Sequence, residues 1–206
     1  MSEFFDDTRS ELMTLEEYGS DFRKRRQDPH GSRETWKVER RQFFSDPDDP
    51  PWLAFSEGRW EESVRLIEAN RPSYQKYYEE AAAQGVTLYR VRIVDEPLQP
   101  YVHWEIHYLC LAASVGEKVR VVSSRDVVKY EEIDPLPEII VAGSDTVYKV
   151  LYSDDGRPTG ARRTIDINLA RRCETLVKGL YAIGEDVDAY FESKVKGLAP
   201  PNLRQR

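Results

Sequence analysis

Sulfur-containing residues and histidines are scarce in this sequence. Its 206 residues include only two cysteines, two methionines and three histidines. Cys110 lies in a predicted strand and Cys173 in a predicted helix, and two such cysteines do not make the framework of a disulfide-rich secreted protein. We therefore expect both to be buried as small apolar side chains, in a cytoplasmic protein without disulfides.

Long apolar segments are also missing. The longest apolar run, around residues 109–113, covers about five or six residues and is far too short for a membrane span. The N-terminal segment is acidic and lacks the apolar core of a secretory signal. The sequence therefore predicts neither a membrane anchor nor a secretory leader.

Positive charge is in deficit. Lysine and arginine total 30 against 37 aspartates and glutamates, which gives a net charge of -7 and a pI near 5.2. Binding to nucleic acid needs clustered cations that neutralise phosphates, so we do not expect direct nucleic-acid binding. A charged fraction of 33% and a mean hydropathy of -0.65 predict a highly charged surface around one buried core.

The distribution of charge divides the chain into three parts. Residues 1–30 form a charged extension that is acidic at first and becomes basic at residues 23–26. It is either loosely docked and solvated or an arm for a partner or an anion, because segregated charge often marks interaction tails. Residues 31–197 are predicted to be a single α+β domain, and residues 198–206 a frayed tail.

Proline, glycine and capping residues predict five helices. We expect helices over residues 32–44, 52–70, 72–84, 167–182 and 186–196. Ser32 and Asp166 are suitable N-caps. Pro72 suits a first helical turn, and Gly85 suits the position after a helix.

Alternating β-rich runs predict the sheet. They cover residues 86–94, 101–111, 118–123, 138–141 and 145–152, with a sixth edge strand at 161–164. Asp155-Gly156 predicts a hairpin turn between the last two. The predicted fold is α+β, with an antiparallel meander of about five or six strands covered by N-terminal and C-terminal helices.

The first two runs form a predicted hairpin around residues 95–100. In this register Arg92 lies opposite His103, Arg90 opposite Glu105, and Leu88 opposite His107. A slip of one residue would send half of the apolar set to solvent, so burial favours this register.

The polar face of this hairpin is the candidate site. Its predicted ligand-binding residues are Arg90, Arg92, His103, Glu105, His107 and Arg120. The three arginines suggest a sensor that holds an anionic ligand. Two histidines and a carboxylate also suit a metal ion, but three ligands on one strand span about 13 Å and the arginines would repel a cation. We therefore expect no metal site.

An enzymatic alternative depends on carboxylates near strand ends. Glu96, Glu117, Asp126 and Asp145 offer groups for acid–base chemistry in a small hydrolase, with or without a metal. The sequence has no P-loop, no GxGxxG after a strand, no GxSxG and no CxxC. We therefore expect no cofactor, and no residue is assigned as catalytic.

Several sequence words carry a resemblance to a known family. They are Trp36-Lys37-Val38-Glu39, Trp52-Leu53-Ala54-Phe55, Arg90-Val91-Arg92-Ile93-Val94, Tyr101 to Ile106, Gly116-Glu117-Lys118-Val119-Arg120-Val121 and Tyr152-Ser153-Asp154-Asp155-Gly156. In this order they resemble an actinobacterial family of domains of unknown function, the one numbered six-eight-seven-nine. The resemblance covers roughly residues 34–191 and leaves the charged extension outside.

The resemblance implies a regulatory role rather than a reaction. Such proteins are often encoded beside helix-turn-helix regulators, in settings that suggest signalling or toxin–antitoxin-like partnerships. It therefore implies a regulatory or interaction module with a helix-turn-helix protein as its partner. The small hydrolase and the anionic-ligand sensor remain the alternatives.

Overall fold

The computed structural model describes residues 7–26, 33–201 and 203. Its helices are α1 (Leu15–Arg26), α2 (Pro50–Ser56), α3 (Trp60–Ala69), α4 (Arg71–Ala83), α5 (Pro100–Ser114), α6 (Ile167–Ile183) and α7 (Val187–Tyr190). Its strands are β1 (Glu11–Met13), β2 (Glu34–Glu39), β3 (Thr87–Val94), β4 (Lys118–Ser123), β5 (Ile139–Ala142), β6 (Thr146–Tyr152), β7 (Pro158–Ile165) and β8 (Glu185–Asp186).

All eight described strands belong to one sheet, in the order β1-β7-β6-β5-β2-β3-β4-β8. The pairs β2–β3 and β3–β4 are parallel, and the other pairs are antiparallel. The predicted α+β class is confirmed, but the antiparallel meander of five or six strands is wrong. Helices α2 to α4 connect β2 to β3, and α5 connects β3 to β4, and such helical crossovers bring strands together in parallel.

The two faces of the sheet have different coverings. On one face, α6 packs on the apolar residues of β2 and β3, including Val38, Val91 and Ile93. On the other face, Val94 and Val119 pack against α5. α1 covers the β5–β7 side of this second face. The polar residues of β2 and β3 alternate with the apolar set and therefore lie on the face of α5.

The helix predicted over residues 32–44 is wrong. Residues 34–39 form β2, and Ser32 lies outside the described residues. Trp36 and Val38 enter the core under α6, while Lys37 and Glu39 leave the opposite face. This is the period-two alternation of a strand. The aromatic residues of this segment also fit a helical spacing roughly, which favoured the wrong prediction of a helix.

The second strand of the predicted hairpin is also wrong. Residues 100–114 form α5, which begins with Pro100 in its first turn. Because α5 lies between the sheet and helices α3 and α7, it is apolar on most sides. Polar residues at every second position therefore resembled strand alternation, and the predicted hairpin register does not exist.

Other local signals were read correctly. α4 ends at Ala83, with Gly85 just beyond it at a φ of 71°. β4 has the predicted bounds. The Asp166 carboxylate accepts hydrogen bonds from the Asn168 and Leu169 amides and caps α6.

Three other predicted elements differ from the structure. The segment predicted as one helix over 52–70 forms two helices, α2 and α3. The last predicted helix is the short α7 followed by a π-helical turn (Phe191–Val195), and β7, predicted as an edge strand, is an inner strand.

Part of the charged extension joins the sheet. β1 pairs with β7, and Met13 is 7% exposed. The Asp21 carboxylate accepts a hydrogen bond from Tyr148, at 2.5 Å, and pairs with Arg163 at 2.8 Å. A Cβ on Gly160 would lie 2.1 Å from the Met13 carbonyl oxygen, so this close approach requires glycine. The division of the chain at residue 30 stays a prediction.

The cysteines and the helix lengths complete the description. Cys110 and Cys173 are free thiols, one half-buried and one buried. Cys110 lies in α5 rather than in a strand. Within the described residues, no helix combines the length and the apolar character needed to span a bilayer.

Candidate functional site

A buried network of ion pairs lies on the α5 face of the sheet. Arg90 contacts two carboxylates, Glu39 at 3.0 Å and Glu117 at 2.9 Å. Lys37 pairs with the other oxygen of Glu39 at 2.5 Å. The Tyr78 hydroxyl donates a hydrogen bond to Glu117 at 2.7 Å. The guanidinium of Arg90 is therefore already neutralised by groups of the protein.

Arg92 and Glu105 form a second pair beside it. Arg92 has no exposed surface, and its Nε lies 2.6 Å from a Glu105 oxygen. The Tyr101 hydroxyl donates to the other Glu105 oxygen at 3.3 Å. Tyr101 and Glu105 are one helical turn apart on α5, so the helix aims both at Arg92.

Burial and neighbouring charges set the ionisation of these carboxyls. Burial alone would raise the pKa of Glu39, but Arg90, Lys37 and Arg92 outweigh it and lower that pKa to about 2. Burial raises the pKa of Glu105 despite the nearby Arg92 guanidinium. Glu39 is therefore ionised at neutral pH, whereas the charge of Glu105 depends on Arg92.

The structure brings only part of the predicted site together. Arg90, Arg92 and Glu105 share one face of the sheet, as predicted, but through a helix rather than a hairpin. Arg120 pairs in register with Val91 and lies on the opposite face, where its guanidinium packs 5.5 Å over the Tyr181 ring. It therefore cannot join the other two arginines around one anion.

The two histidines lie on a different side of α5. Trp60 packs against both, with ring centroids 4.8 Å from His103 and 5.4 Å from His107. Burial lowers the pKa of His103, and burial followed by the charge of His103 lowers the pKa of His107 to about 4. Both are therefore neutral core residues at physiological pH. Among the described residues, no group of three His, Cys, Asp or Glu side chains is placed to hold a metal ion.

A cavity of about 510 Å³ opens above the Arg90 network. Tyr18 and Phe22 of α1 form one wall, and Tyr74, Tyr77 and Tyr78 of α4 form another. Lys37, Arg90 and Glu117 lie at its sheet side. Aromatic side chains form about half of its lining, and its charged groups lie at the sheet side.

A second cavity of about 240 Å³ lies next to the first. Tyr74, Arg90 and Tyr108 line both. The Tyr108 hydroxyl donates a hydrogen bond to the Tyr74 hydroxyl at this shared wall. The two cavities thus lie side by side between the sheet and helices α4 and α5.

A third cavity, of about 570 Å³, lies where β2 and β3 end. Burial, followed by the charge of Glu39, raises the pKa of its buried Glu138 to about 7. The Glu138 carboxyl accepts hydrogen bonds from the backbone amides of Arg40, at 2.9 Å, and Arg41, at 2.6 Å. Its oxygens therefore hold the backbone that follows β2 in position.

Of the four carboxylates in the hydrolase hypothesis, Glu117, Asp145 and Glu96 are held in separate ion pairs. Glu117 bonds Arg90 and Tyr78 in the buried network. Asp145 pairs with Arg25 of α1, while Glu96 lies 4.0 Å from Arg125. Each of these three acids thus has its own separate partners.

The residues that line the cavities were largely missed by sequence reasoning. The sequence prediction places Lys37 and Glu39 in a helix and assigns no site to Tyr74, Tyr77 and Tyr78. The available signal was the spacing of Tyr74, Tyr77 and Tyr78, which puts three phenols on one side of α4.

The site lies inside a region shared with other proteins. The model of the family described as Domain of unknown function (DUF6879) matches residues 20–192. The chain belongs to the DUF6879 family. The matched region contains Glu39, Arg90, Arg92, Glu105 and all of α4, so both ion pairs lie within the DUF6879 domain. A search of curated proteins finds no match.

The family assignment confirms the resemblance seen in the sequence. The matched region begins inside α1 and leaves β1 outside. The actinobacterial origin and the neighbouring helix-turn-helix regulators stay predictions. Because the DUF6879 description names no activity, the function has to be argued from the cavities themselves.

Proposed function

We propose that this protein is a non-enzymatic regulatory module that binds a small organic ligand and acts through a protein partner. The observation that carries the proposal is the 510 Å³ cavity, which is framed by α1, α4 and the sheet over a neutralised ion network. Ligand cavities are typically about 300–1,000 Å³, mostly apolar, and provided with a few fixed polar groups.

The polar groups of this cavity are held in place before any ligand enters. Arg90 is fixed by two carboxylates, and Glu117 is also fixed by the Tyr78 hydroxyl. Preorganised groups lose little entropy when a ligand binds. Because the cations are already paired with carboxylates, this arrangement favours a ligand without strong negative charge over the anion of the sensor hypothesis.

The wall formed by α1 offers a route from ligand to partner. α1 supplies Tyr18 and Phe22 to the cavity, while Arg23 and Lys24 in its last turn are exposed. A ligand that touches α1, α4 and the sheet together would stabilise the docked position of α1. We propose that the helix-turn-helix regulator implied by the resemblance detects this change.

Ligand binding is tested by measuring thermal stability with small compounds of three classes: organic cations, neutral ring compounds and organic anions. Ser73 is exposed and lines the cavity, so Ser73→Trp should fill its mouth without removing a core contact. Gln75 is exposed on the same helix and does not line the cavity, which makes Gln75→Trp the matched control.

At least one class should raise the melting temperature of the wild type and of Gln75→Trp, but not of Ser73→Trp. If no class has an effect, or if Ser73→Trp responds like the control, the cavity is not a ligand site. The regulatory part is tested by co-purification with the neighbouring helix-turn-helix protein. A complex whose yield changes with the ligand supports the proposal, and the lack of any complex contradicts it.

A further inference from the structure

The smaller cavity has unusually aromatic walls. Seven aromatic residues lie around its 240 Å³, namely Phe44, Trp52, Tyr74, Tyr101, Trp104, Tyr108 and Tyr152. They come from the loop before α2, from α2, α4 and α5, and from the end of β6. Four separate parts of the chain therefore converge to present ring surfaces to one small volume.

The rings are inclined to one another rather than stacked, at angles from 44° for Phe44 and Tyr152 to 89° for Tyr74 and Tyr108. Phe44 and Tyr101 are 5.8 Å apart with planes at 76°, and Tyr74 and Tyr108 are 5.1 Å apart at 89°. The Trp52 indole is held by a hydrogen bond from its Nε1 to the Phe44 carbonyl, at 2.9 Å. Steeply inclined rings present both faces and edges to the space between them, and ring faces attract cations.

The charges at this cavity are predominantly negative. Four carboxylates line it, those of Glu39, Asp46, Asp49 and Glu105, against the single guanidinium of Arg90. Glu39 is paired with Lys37 and Arg90, and Glu105 is paired with Arg92. Within the described ranges, the negative charge that has no cation therefore comes from Asp46 and Asp49.

Two of these carboxylates have no cation of their own. In the described part of the chain, neither Asp46 nor Asp49 forms an ion pair, although the Asp49 carboxylate accepts a hydrogen bond from the Trp52 amide at 3.1 Å. Burial and the charge of Asp46 raise the pKa of Asp49, and the Trp52 amide opposes this. A positive charge in the cavity would relieve the repulsion between the two aspartates.

We propose that the smaller cavity is an aromatic cage for a quaternary or alkylated ammonium group, with Asp46 and Asp49 as its counter-charges. The rest of the ligand would extend past Tyr74 and Tyr108 into the 510 Å³ cavity. This inference rests on the proposed function, because it names the chemical class of the ligand that the cleft binds. It also contradicts the expectation of an anionic ligand. Arg90 and Arg92 are already paired with carboxylates, whereas Asp46 and Asp49 have no cation among the residues that the structure describes.

The probe is choline, titrated into the full-length protein by calorimetry and followed by tryptophan fluorescence. The neutral isostere 3,3-dimethylbutan-1-ol has the same shape without the charge and should bind about tenfold more weakly, in line with the size of cation–π contributions. Acetate serves as the anionic comparison and should not bind.

Three variants locate the binding. Trp52→Leu removes one ring and should weaken choline binding at least tenfold. Asp49→Asn removes the charge but keeps an oxygen for the Trp52 amide, because asparagine caps helices as well as aspartate does. It should weaken choline binding several-fold with little change in melting temperature. Gln75→Leu, at an exposed position of α4 that lines neither cavity, is the matched control and should leave choline binding unchanged.

The outcomes separate this inference from the proposed function. If a neutral or anionic compound stabilises the wild type and choline does not, the cage is overturned while the ligand-binding module stands. If no class of compound binds, both fail. Choline binding that survives both Trp52→Leu and Asp49→Asn also overturns the cage, and loss in those two variants with retention in Gln75→Leu supports it.

Discussion

Replacing Arg92 with methionine tests whether the buried ion pair organises the sheet face beneath α5. Arg92 is fully buried and lies 2.6 Å from Glu105, whose side chain is 6% exposed. In Arg92→Met, the Glu105 carboxylate would keep only the 3.3 Å hydrogen bond from Tyr101. Removing one partner of a buried pair leaves an uncompensated charge, which typically costs about 3–5 kcal/mol.

For a chain of this length, that loss corresponds to a fall in melting temperature of roughly 6–20 °C. The loss should depend on pH. Burial already raises the pKa of Glu105 above its usual value, and without Arg92 it rises further. A carboxyl whose folded pKa is raised destabilises the protein above that pKa, and protonation removes the penalty as the pH falls. Arg92→Met should therefore lose less stability at pH 5 than at pH 8.

The assay is chemical unfolding at both pH values, for Arg92→Met, Glu105→Met and the double variant. The double variant should recover much of the loss, because an apolar pair often replaces a buried ion pair without penalty. Arg125→Met is the control, since Arg125 is exposed and lies 4.0 Å from Glu96. A loss below about 1 kcal/mol, or single losses that simply add in the double variant, would refute this account of the pair.

Three further predictions follow from close contacts and shifted pKa values. Gly160→Ala should release β1 and lower the melting temperature, because the new Cβ would lie 2.1 Å from the Met13 carbonyl oxygen; increased proteolysis near residue 13 would show the release. The pKa of His107 should be about 4 by NMR titration. Its contribution to stability should therefore be lost as the pH falls from about 6.5 to 4. The pKa of Glu138 is raised to about 7, so the folded state binds an extra proton and stability falls as the pH rises from about 4.5 to 7. Glu138→Gln should remove this part of the pH dependence, measured by chemical unfolding.

Each of these predictions has a contrasting result. Gly179→Ala is the control for Gly160, since a Cβ on Gly179 meets no atom within 4 Å and alanine favours a helix; equal behaviour of the two variants would contradict the β1 contact. A His107 pKa near 6.5 would mean that its ring is solvated. An unchanged pH slope in Glu138→Gln would mean that Glu138 titrates in its ordinary range.

Local signals in the sequence were sufficient where one residue decides the backbone. Gly85 ends α4 because it adopts a left-handed conformation there, and Asp166 begins α6 because its carboxylate binds two free amides. The bounds of β4 followed from alternation alone. The two helix ends depend on local contacts, whereas β4 also needs its partner strands β3 and β8.

Tertiary structure decided the identity of α5 and with it the site. The sequence 101–111 alternates like a strand, but it forms a helix that is enclosed on several sides and apolar on most of them. The same packing places Glu105 against Arg92. Pairing between Arg90 and Glu39 depends on the parallel register of β2 and β3, which no local pattern encodes. Residue patterns along the chain were therefore enough to predict the α+β class and several element boundaries. Which charged side chains meet depends on contacts between distant segments, and these form only on folding.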